Sequence, residues 1–172
     1  MSIRFIPIRS QDQIVSLAAM ADDIWHEYFP VILSGGQIDY MVQTFQSAQA
    51  IAEQMARQGY LYYFLELDGT DIGYTSIRED HGSLFLSKLY LRKEYRGKGY
   101  AGEAFRFFEE LCKEMNLSSI WLTVNRHNVD TIRVYERKGF QTVRTQVTDI
   151  GSGFVMDDFV MEKRLDASTS IS

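Results

Sequence analysis

Polar and apolar positions along the chain change period several times, and each change marks an element. Residues 3–8 alternate, the period of a strand. Ser10 or Asp12 caps a helix running to about Glu27, in which Ile14, Leu17, Ala18, Ala21 and Trp25 fall near helical spacing. "FPVILSGG" ends it with Pro30, Gly35 and Gly36. A second helix is predicted over residues 38–58, with Gly59 as its stop. "YLYYFLEL" is rich in strand formers, "DGT" is a hairpin turn, and "DIGYTSIRED" is the return strand. "HGS" leads to a third strand over 84–91, whose nearly continuous apolar content suits a position covered on both faces. A glycine-rich turn, "YRGKGYAG", opens a helix that carries Ala101, Ala104, Phe105, Phe108, Leu111, Cys112 and Met115 on one face. "SSIWLTV" is a strand. Asn128 caps a short helix with Asp130 in its first turn, Arg137 and Lys138 in its last, and Gly139 just beyond. "FQTVRTQVTD" and "DFVMEKRL" are two final strands joined across "IGSG". The order β-α-α-β-β-β-α-β-α-β-β is mixed α/β, and no internal repeat interrupts it.

Length and composition narrow the class. A chain of 172 residues with 45% hydrophobic and 13% aromatic content builds one globular domain, expected over 1–165, with a small polar tail over 166–172. The net charge of −5 argues against a nucleic-acid partner and fits a cationic small substrate. A single cysteine, Cys112, excludes an internal disulfide and a cysteine-based zinc site, and His26, His81 and His127 lack metal-ligand spacing, so no metal is expected. Cys112 lies on the apolar helical face and reads as core, so no covalent nucleophile is evident. "MSIRFIPI" lacks the apolar core of a secretory signal, and no apolar run approaches the length of a membrane span. The expected compartment is the cytoplasm, with no membrane partner.

The glycine turn carries the chemistry. Glycine is needed where backbone turns with positive φ or approaches a ligand closely, and a turn entering a helix aims free N–H groups and the helix dipole at a phosphate. Strand, "YRGKGYAG" and helix together form a diphosphate site, with charge added by Arg96 and Lys98. The Gly-Lys-Ser/Thr ending of a Walker loop is absent. Gly97-x-Gly99-x-x-Gly102 has the letters of a dinucleotide fingerprint, but it follows hairpin-linked strands, and the next strand ends in Asn125 where a ribose-binding acid is required. A nicotinamide enzyme is therefore disfavoured.

Two motifs carry a family resemblance. Arg96-Gly97-Lys98-Gly99-Tyr100-Ala101 resembles the R-x-x-G-x-G/A signature of the GNAT N-acyltransferase superfamily. "VNRHNVDTIRVYERKGF" resembles the second half of that site, with Asn128, Tyr135, Gly139 and Phe140 at matching positions. "IWLTVNRHN" and the final "DDFVMEK" further resemble the bacterial branch that includes spermidine/spermine acetyltransferases. The resemblance covers nearly the whole chain. It implies a mixed, largely antiparallel central sheet, splayed into a V-shaped cleft and flanked by about four helices.

It also implies an acetyl-CoA-dependent N-acetyltransferase acting on a small primary amine, polyamines favoured, by direct transfer in a ternary complex. Leu89, Tyr90 and Leu91 would pair with the pantetheine arm. The N–H groups of Arg96, Gly97, Lys98, Gly99, Tyr100 and Ala101 would hold the pyrophosphate, and Asn128 would both cap its helix and touch the cofactor. Tyr135 would be the general acid, a phenol of pKa ~10 protonating a thiolate leaving group of pKa ~8.5. An alkyl amine of pKa ~10.4 is free base only about once in 2,500 molecules at pH 7, so its proton needs an acceptor. Many relatives carry a glutamate where this chain has Ser87, which cannot serve. The base is Glu27, His26, or a water held by Ser87 and backbone carbonyls. The acceptor side would come from Trp25, Glu27 and Tyr28 near the first helix end, the aromatics favouring a cation, and from Asp149, Asp157 and Asp158 in the last hairpin. A protein N-terminal or lysine acetyltransferase, a non-catalytic acyl-CoA-binding module and a homodimer remain open at this level.

Overall fold

The computed structural model describes residues 2–165; the predicted polar tail over 166–172 lies outside the described residues. Seven strands and five α-helices follow one another as β1 (Arg4–Pro7), α1 (Gln11–Tyr28), α2 (Gly35–Phe45), α3 (Ala48–Arg57), β2 (Leu61–Leu67), β3 (Thr70–Asp80), β4 (Ser83–Leu91), α4 (Tyr100–Met115), β5 (Ser119–Asn125), α5 (Val129–Arg137), β6 (Gln141–Gly151) and β7 (Phe154–Arg164). The strands form one sheet in the order β1-β2-β3-β4-β5-β7-β6. Pairing is antiparallel for β1/β2, β2/β3, β5/β7 and β6/β7, and parallel for β4/β5. This is the α/β, mostly antiparallel sheet that the family resemblance implies, with five α-helices where about four were expected.

The backbone divides into two compact units, one of residues 2–78 with Ser87–Phe107, the other of Glu79–Leu86 with residues 108–165. In the first, Ser10 rather than Asp12 caps α1. Its hydroxyl accepts from Gln13 N while the Gln13 side chain accepts from Ser10 N, a reciprocal capping box. The buried face of α1 is Ile14, Leu17, Met20, Ala21, Ile24 and Trp25. A separate buried cluster is formed by Ile3, Leu65 and Ile72, against which Phe5, Leu67, Leu89, Leu91, Tyr95 and Tyr100 pack. The second unit buries Phe108 and Cys112 of α4, Ile120 and Leu122 of β5, and Val160 and Met161 of β7. Burial pushes the Cys112 thiol up to about 11, with the Glu109 carboxylate adding to the effect, so it stays protonated at neutral pH.

Two elements differ from the sequence reading. The helix predicted over 38–58 is two helices, broken at Gln46 and Ser47. Ser47 is extended and caps α3 by accepting from Ala50 N. Gln46, fully buried, donates to Tyr62 Oη and accepts from Tyr74 Oη. Those bonds fix the break, because a continuous helix would carry the Gln46 amide away from both phenols. The last strand starts at Phe154, not near Asp158, because the hairpin turn is tight: Ser152 and Gly153 both have positive φ, and Gly151 pairs with Phe154.

Candidate active site

The turn between β4 and α4 is held at both sides. Tyr95 before it and Tyr100 after it pack on the Ile3–Leu65–Ile72 cluster, and Ile3 N donates to Glu103 Oε1 in the first turn of α4. Between these anchors Gly97 and Gly99 have φ of +75° and +87°. A Cβ added at either would meet nothing within 4 Å, so the backbone here faces open space. Left-handed glycines fronting open space at a helix N-terminus fit an incoming diphosphate. Lys98 between them is exposed, its Nζ 6.0 Å from the centre of the Tyr95 ring.

The strand leading to this turn alternates its side chains. Leu89 and Leu91 go to the Ile3–Leu65–Ile72 cluster. Tyr90 goes to an aromatic group made by Trp25, Tyr28, Phe29 and Tyr74, with ring centres 5.7–6.0 Å from its own. One residue the sequence reading missed sets the backbone here. A Cβ on Gly73 of β3 would lie 2.2 Å from Tyr90 O and 3.0 Å from Leu91 Cα. Only glycine lets β3 run this close. The signal was present as a lone glycine inside a strand pattern, the mark of a bulge or close approach. A register shift between Leu65 and Glu66 on the neighbouring strand faces it.

The acceptor-side candidates of α1 have partners of their own. Trp25 is 3% exposed and its Nε1 donates to Tyr74 Oη at 2.9 Å. Tyr74 in turn donates to Gln46, and burial holds its phenol well above the ordinary range. Glu27 forms a two-pronged ion pair with Arg96, at 2.6 and 3.1 Å, and the Arg96 guanidinium lies 4.9 Å from the centre of the Tyr28 ring. His26 Nε2 faces Asp39 Oδ1 at 2.6 Å, and Nδ1 faces Asp22 O at 2.8 Å and Asp22 Oδ1 at 2.9 Å. Both ring nitrogens meet acceptors, so the imidazolium suits the site. The hydrogen bond to Asp39 and that to the Asp22 carbonyl raise its pKa above 6.5. A doubly donating ring has no lone pair with which to take a proton. Ser87 Oγ accepts from Lys88 Nζ at 2.9 Å.

In the second unit, Asn128 stands at the N-cap of α5 but its side chain makes no cap hydrogen bond; its carbonyl accepts from Ile132 N instead. The preceding turn is organised by Asn125, whose Oδ1 accepts from His127 N, a residue the sequence reading used only as the end of a strand. Tyr135 is half-buried in α5, its ring 5.7 Å from that of Phe140, while Tyr135 O accepts from Phe140 N. Asp157 Oδ1 lies 2.8 Å from Arg126 Nε, an ion pair whose angle falls outside that of a hydrogen bond. Asp158 is 4% exposed and sits opposite Asn125 in the β5/β7 register. Asp149 Oδ1 accepts from Gly151 N beside the final turn. Among the described residues no three His, Cys, Asp or Glu side chains come together to hold a metal ion, and no helix is long and apolar enough to cross a membrane.

Known proteins bear on this arrangement. An uncharacterized N-acetyltransferase in the pepI 3′ region of Lactobacillus delbrueckii subsp. lactis is 29% identical over 120 residues, 65% of this chain and 69% of that one. A probable spermine N(1)-acetyltransferase of Bacillus subtilis subsp. natto (strain BEST195) is 25% identical over 137 residues, 74% of this chain and 88% of that one. The fold is shared with the PaiA N-acetyltransferase of Thermoplasma acidophilum, solved in complex with coenzyme A, at a TM-score of 0.78 and 22% identity, covering 96% of this chain and all of that one. The model of the acetyltransferase (GNAT) family matches residues 17–140, a span that contains the glycine turn, Asn128 and Tyr135, and the chain belongs to that family of acetyl-CoA-dependent enzymes.

Proposed function

We propose that the protein transfers the acetyl group of acetyl-CoA to a primary amine of a small, multiply charged cation, with polyamines as the acceptor class. The observation that carries the cofactor half is the turn at residues 96–101, with two left-handed glycines opening onto free space at the start of α4. When bound, acetyl-CoA supplies an activated thioester carbonyl. The backbone of Leu89, Tyr90 and Leu91 holds the pantetheine arm, the turn N–H groups hold the pyrophosphate, and Asn128 adds a polar contact. The amine nitrogen bonds to the carbonyl carbon as the carbon–sulfur bond breaks, the Tyr135 hydroxyl gives its proton to the departing sulfur, and the phenolate is reprotonated as the acylated nitrogen sheds its surplus proton.

The amine must shed its own proton. Glu27 is engaged by Arg96 and His26 donates from both nitrogens, so we assign this step to water beside Ser87. The polyamine half is supported by the B. subtilis relative named a probable spermine acetyltransferase, matched over 88% of its length. Asp157 is the acceptor-side carboxylate in this reading. Its pair with Arg126 lacks hydrogen-bond geometry, unlike the two-pronged Glu27–Arg96 pair, and so is the one a substrate ammonium would displace. The deciding experiment is CoA release measured over polyamines, amino acids, aminoglycosides and peptides. Release with spermidine or spermine supports the proposal. Release only with peptides moves the acceptor class to proteins, and binding of acetyl-CoA without release to any amine reduces the protein to an acyl-CoA-binding module.

A further inference from the structure

Arg96 opens the pyrophosphate turn, yet its guanidinium is turned into the protein. Nε donates to Leu91 O at 3.0 Å, Nη1 to Glu27 Oε2 at 3.1 Å and Nη2 to Glu27 Oε1 at 2.6 Å, while Tyr28 covers its face. Each of the three nitrogens thus has a protein acceptor. The two-pronged contact is the arrangement in which an arginine fixes direction as well as charge. One acceptor is the last residue of β4, the other lies in the last turn of α1, 69 residues away in sequence.

We infer that Glu27 is a positioning residue of the cofactor turn, acting through Arg96. The clamp sets the angle at which the chain leaves β4, and so where Gly97 and Gly99 present their N–H groups. It also compensates the Arg96 charge, which leaves the backbone and the exposed Lys98 to attract the phosphates. This gives Glu27 a different task from that of an acceptor ligand or base. The inference rests on acetyl-CoA binding at this turn, and its sign separates it from a rival arrangement. If Glu27 merely competed with phosphate for Arg96, removing the carboxylate charge would free the arginine and tighten binding. If the clamp positions the turn, the same change weakens binding.

The test uses the full chain with Glu27→Gln, Arg96→Lys and the double variant. Acetyl-CoA is titrated by calorimetry, and hydrogen exchange of the amides of residues 97–101 is followed without ligand. Each single change is expected to weaken acetyl-CoA about five-fold, the scale of one partly exposed charge-assisted pair, and the double variant to lose no more than either single. Exchange at residues 97–101 is expected to quicken in all three while thermal unfolding shifts little. Glu27→Gln is nearly isosteric, so it carries the test alone should Arg96→Lys fail to fold. Unchanged or tighter binding in Glu27→Gln, with Arg96→Lys weakened by itself, overturns the inference and makes Arg96 a direct phosphate ligand. Wild-type protein that binds no acetyl-CoA overturns the cofactor reading instead, and the exchange rates then still decide whether Glu27 orders the turn.

Discussion

Gly73 has no room for a methyl group, because a Cβ would lie 2.2 Å from Tyr90 O, and a carbonyl in a strand cannot swing aside as a side-chain tip can. Gly73→Ala must push β3 and the end of β4 apart. Its cost is expected at about 1–3 kcal/mol in urea unfolding, with acetyl-CoA affinity falling as well, since Leu89, Tyr90 and Leu91 shift together. Gly99→Val presents the opposite case. It meets no atom of the protein, but it needs an unfavourable φ of +87° and fills the space in which the diphosphate is proposed to sit. Acetyl-CoA affinity measured by calorimetry should therefore drop more than folding stability does. Tyr135→Phe keeps the ring that packs at 5.7 Å from Phe140 and removes only the proposed proton donor. Single-turnover kinetics should show kcat reduced about 10²-fold with acetyl-CoA affinity nearly unchanged, and full activity would leave Tyr135 a packing residue.

The junction of α2 and α3 shows how a side chain decides where a helix stops. Gln46 lies in a buried hydrogen-bonded series, in which Trp25 donates to Tyr74, Tyr74 to Gln46, Gln46 to Tyr62, and Tyr62 to Gln54. Burial pushes the Tyr62 phenol up to about 12, so each phenol is protonated and needs its acceptor. Gln46→Leu removes the acceptor for Tyr74 and the donor to Tyr62, and unfolding should be easier by about 2–3 kcal/mol, measured by urea titration. The sequence could not reveal this break, because its cause lies in Tyr62 and Tyr74, 16 and 28 residues further on. What was legible is what local pattern encodes: a cap at Ser10 or Asp12, the strand segments, and the glycine turn at the head of α4. The Glu27–Arg96 clamp was hidden for the reason that hid Gln46: the sequence assigned Arg96 to the phosphate and Glu27 to the acceptor side, and a pairing across 69 residues leaves no local signal. A second link at the same end of α1 is pH-dependent. His26 bridges Asp22 of α1 to Asp39 of α2 and has a folded-state pKa raised above 6.5. Its stabilisation is full below about pH 6.5 and fades as pH rises through the raised value. The difference in Tm between wild type and His26→Gln should therefore be largest near pH ~6 and shrink toward pH ~9.

The chain as a whole carries a net charge of −5, and a polyamine carries several positive charges. The summed field of such a protein draws cations toward it over distances comparable with the screening length, about 8 Å at physiological ionic strength. Encounter and proton loss then pull the acceptor in different directions, and the balance is measurable. Encounter favours the charged amine, while attack on the thioester requires the free base, which an alkyl amine of pKa ~10.4 supplies only about once in 2,500 molecules at pH 7. With Glu27 held by Arg96 and both His26 nitrogens engaged by Asp22 and Asp39, no side chain of this end of the molecule is assigned to collect that proton, so in the proposed mechanism the free-amine fraction sets the rate. For spermidine, kcat/KM should rise steeply and nearly tenfold per pH unit from pH ~6.5 to ~9, and fall with added salt at every pH. An acceptor with an α-amino group of pKa ~8 is already about one-tenth free base at pH 7, so its profile should level off near pH ~8 and respond less to salt. A spermidine profile that is flat above pH ~7 would show that a protein group collects the proton, returning Glu27 or another carboxylate to the role of base. A rate indifferent to salt would show that charge attraction does not select the acceptor. Asp157→Asn then separates the long-range field from the local contact. It should raise the spermidine KM and leave acetyl-CoA affinity unchanged if Asp157 meets the substrate, but lower kcat/KM only slightly, through the loss of one charge, if it does not.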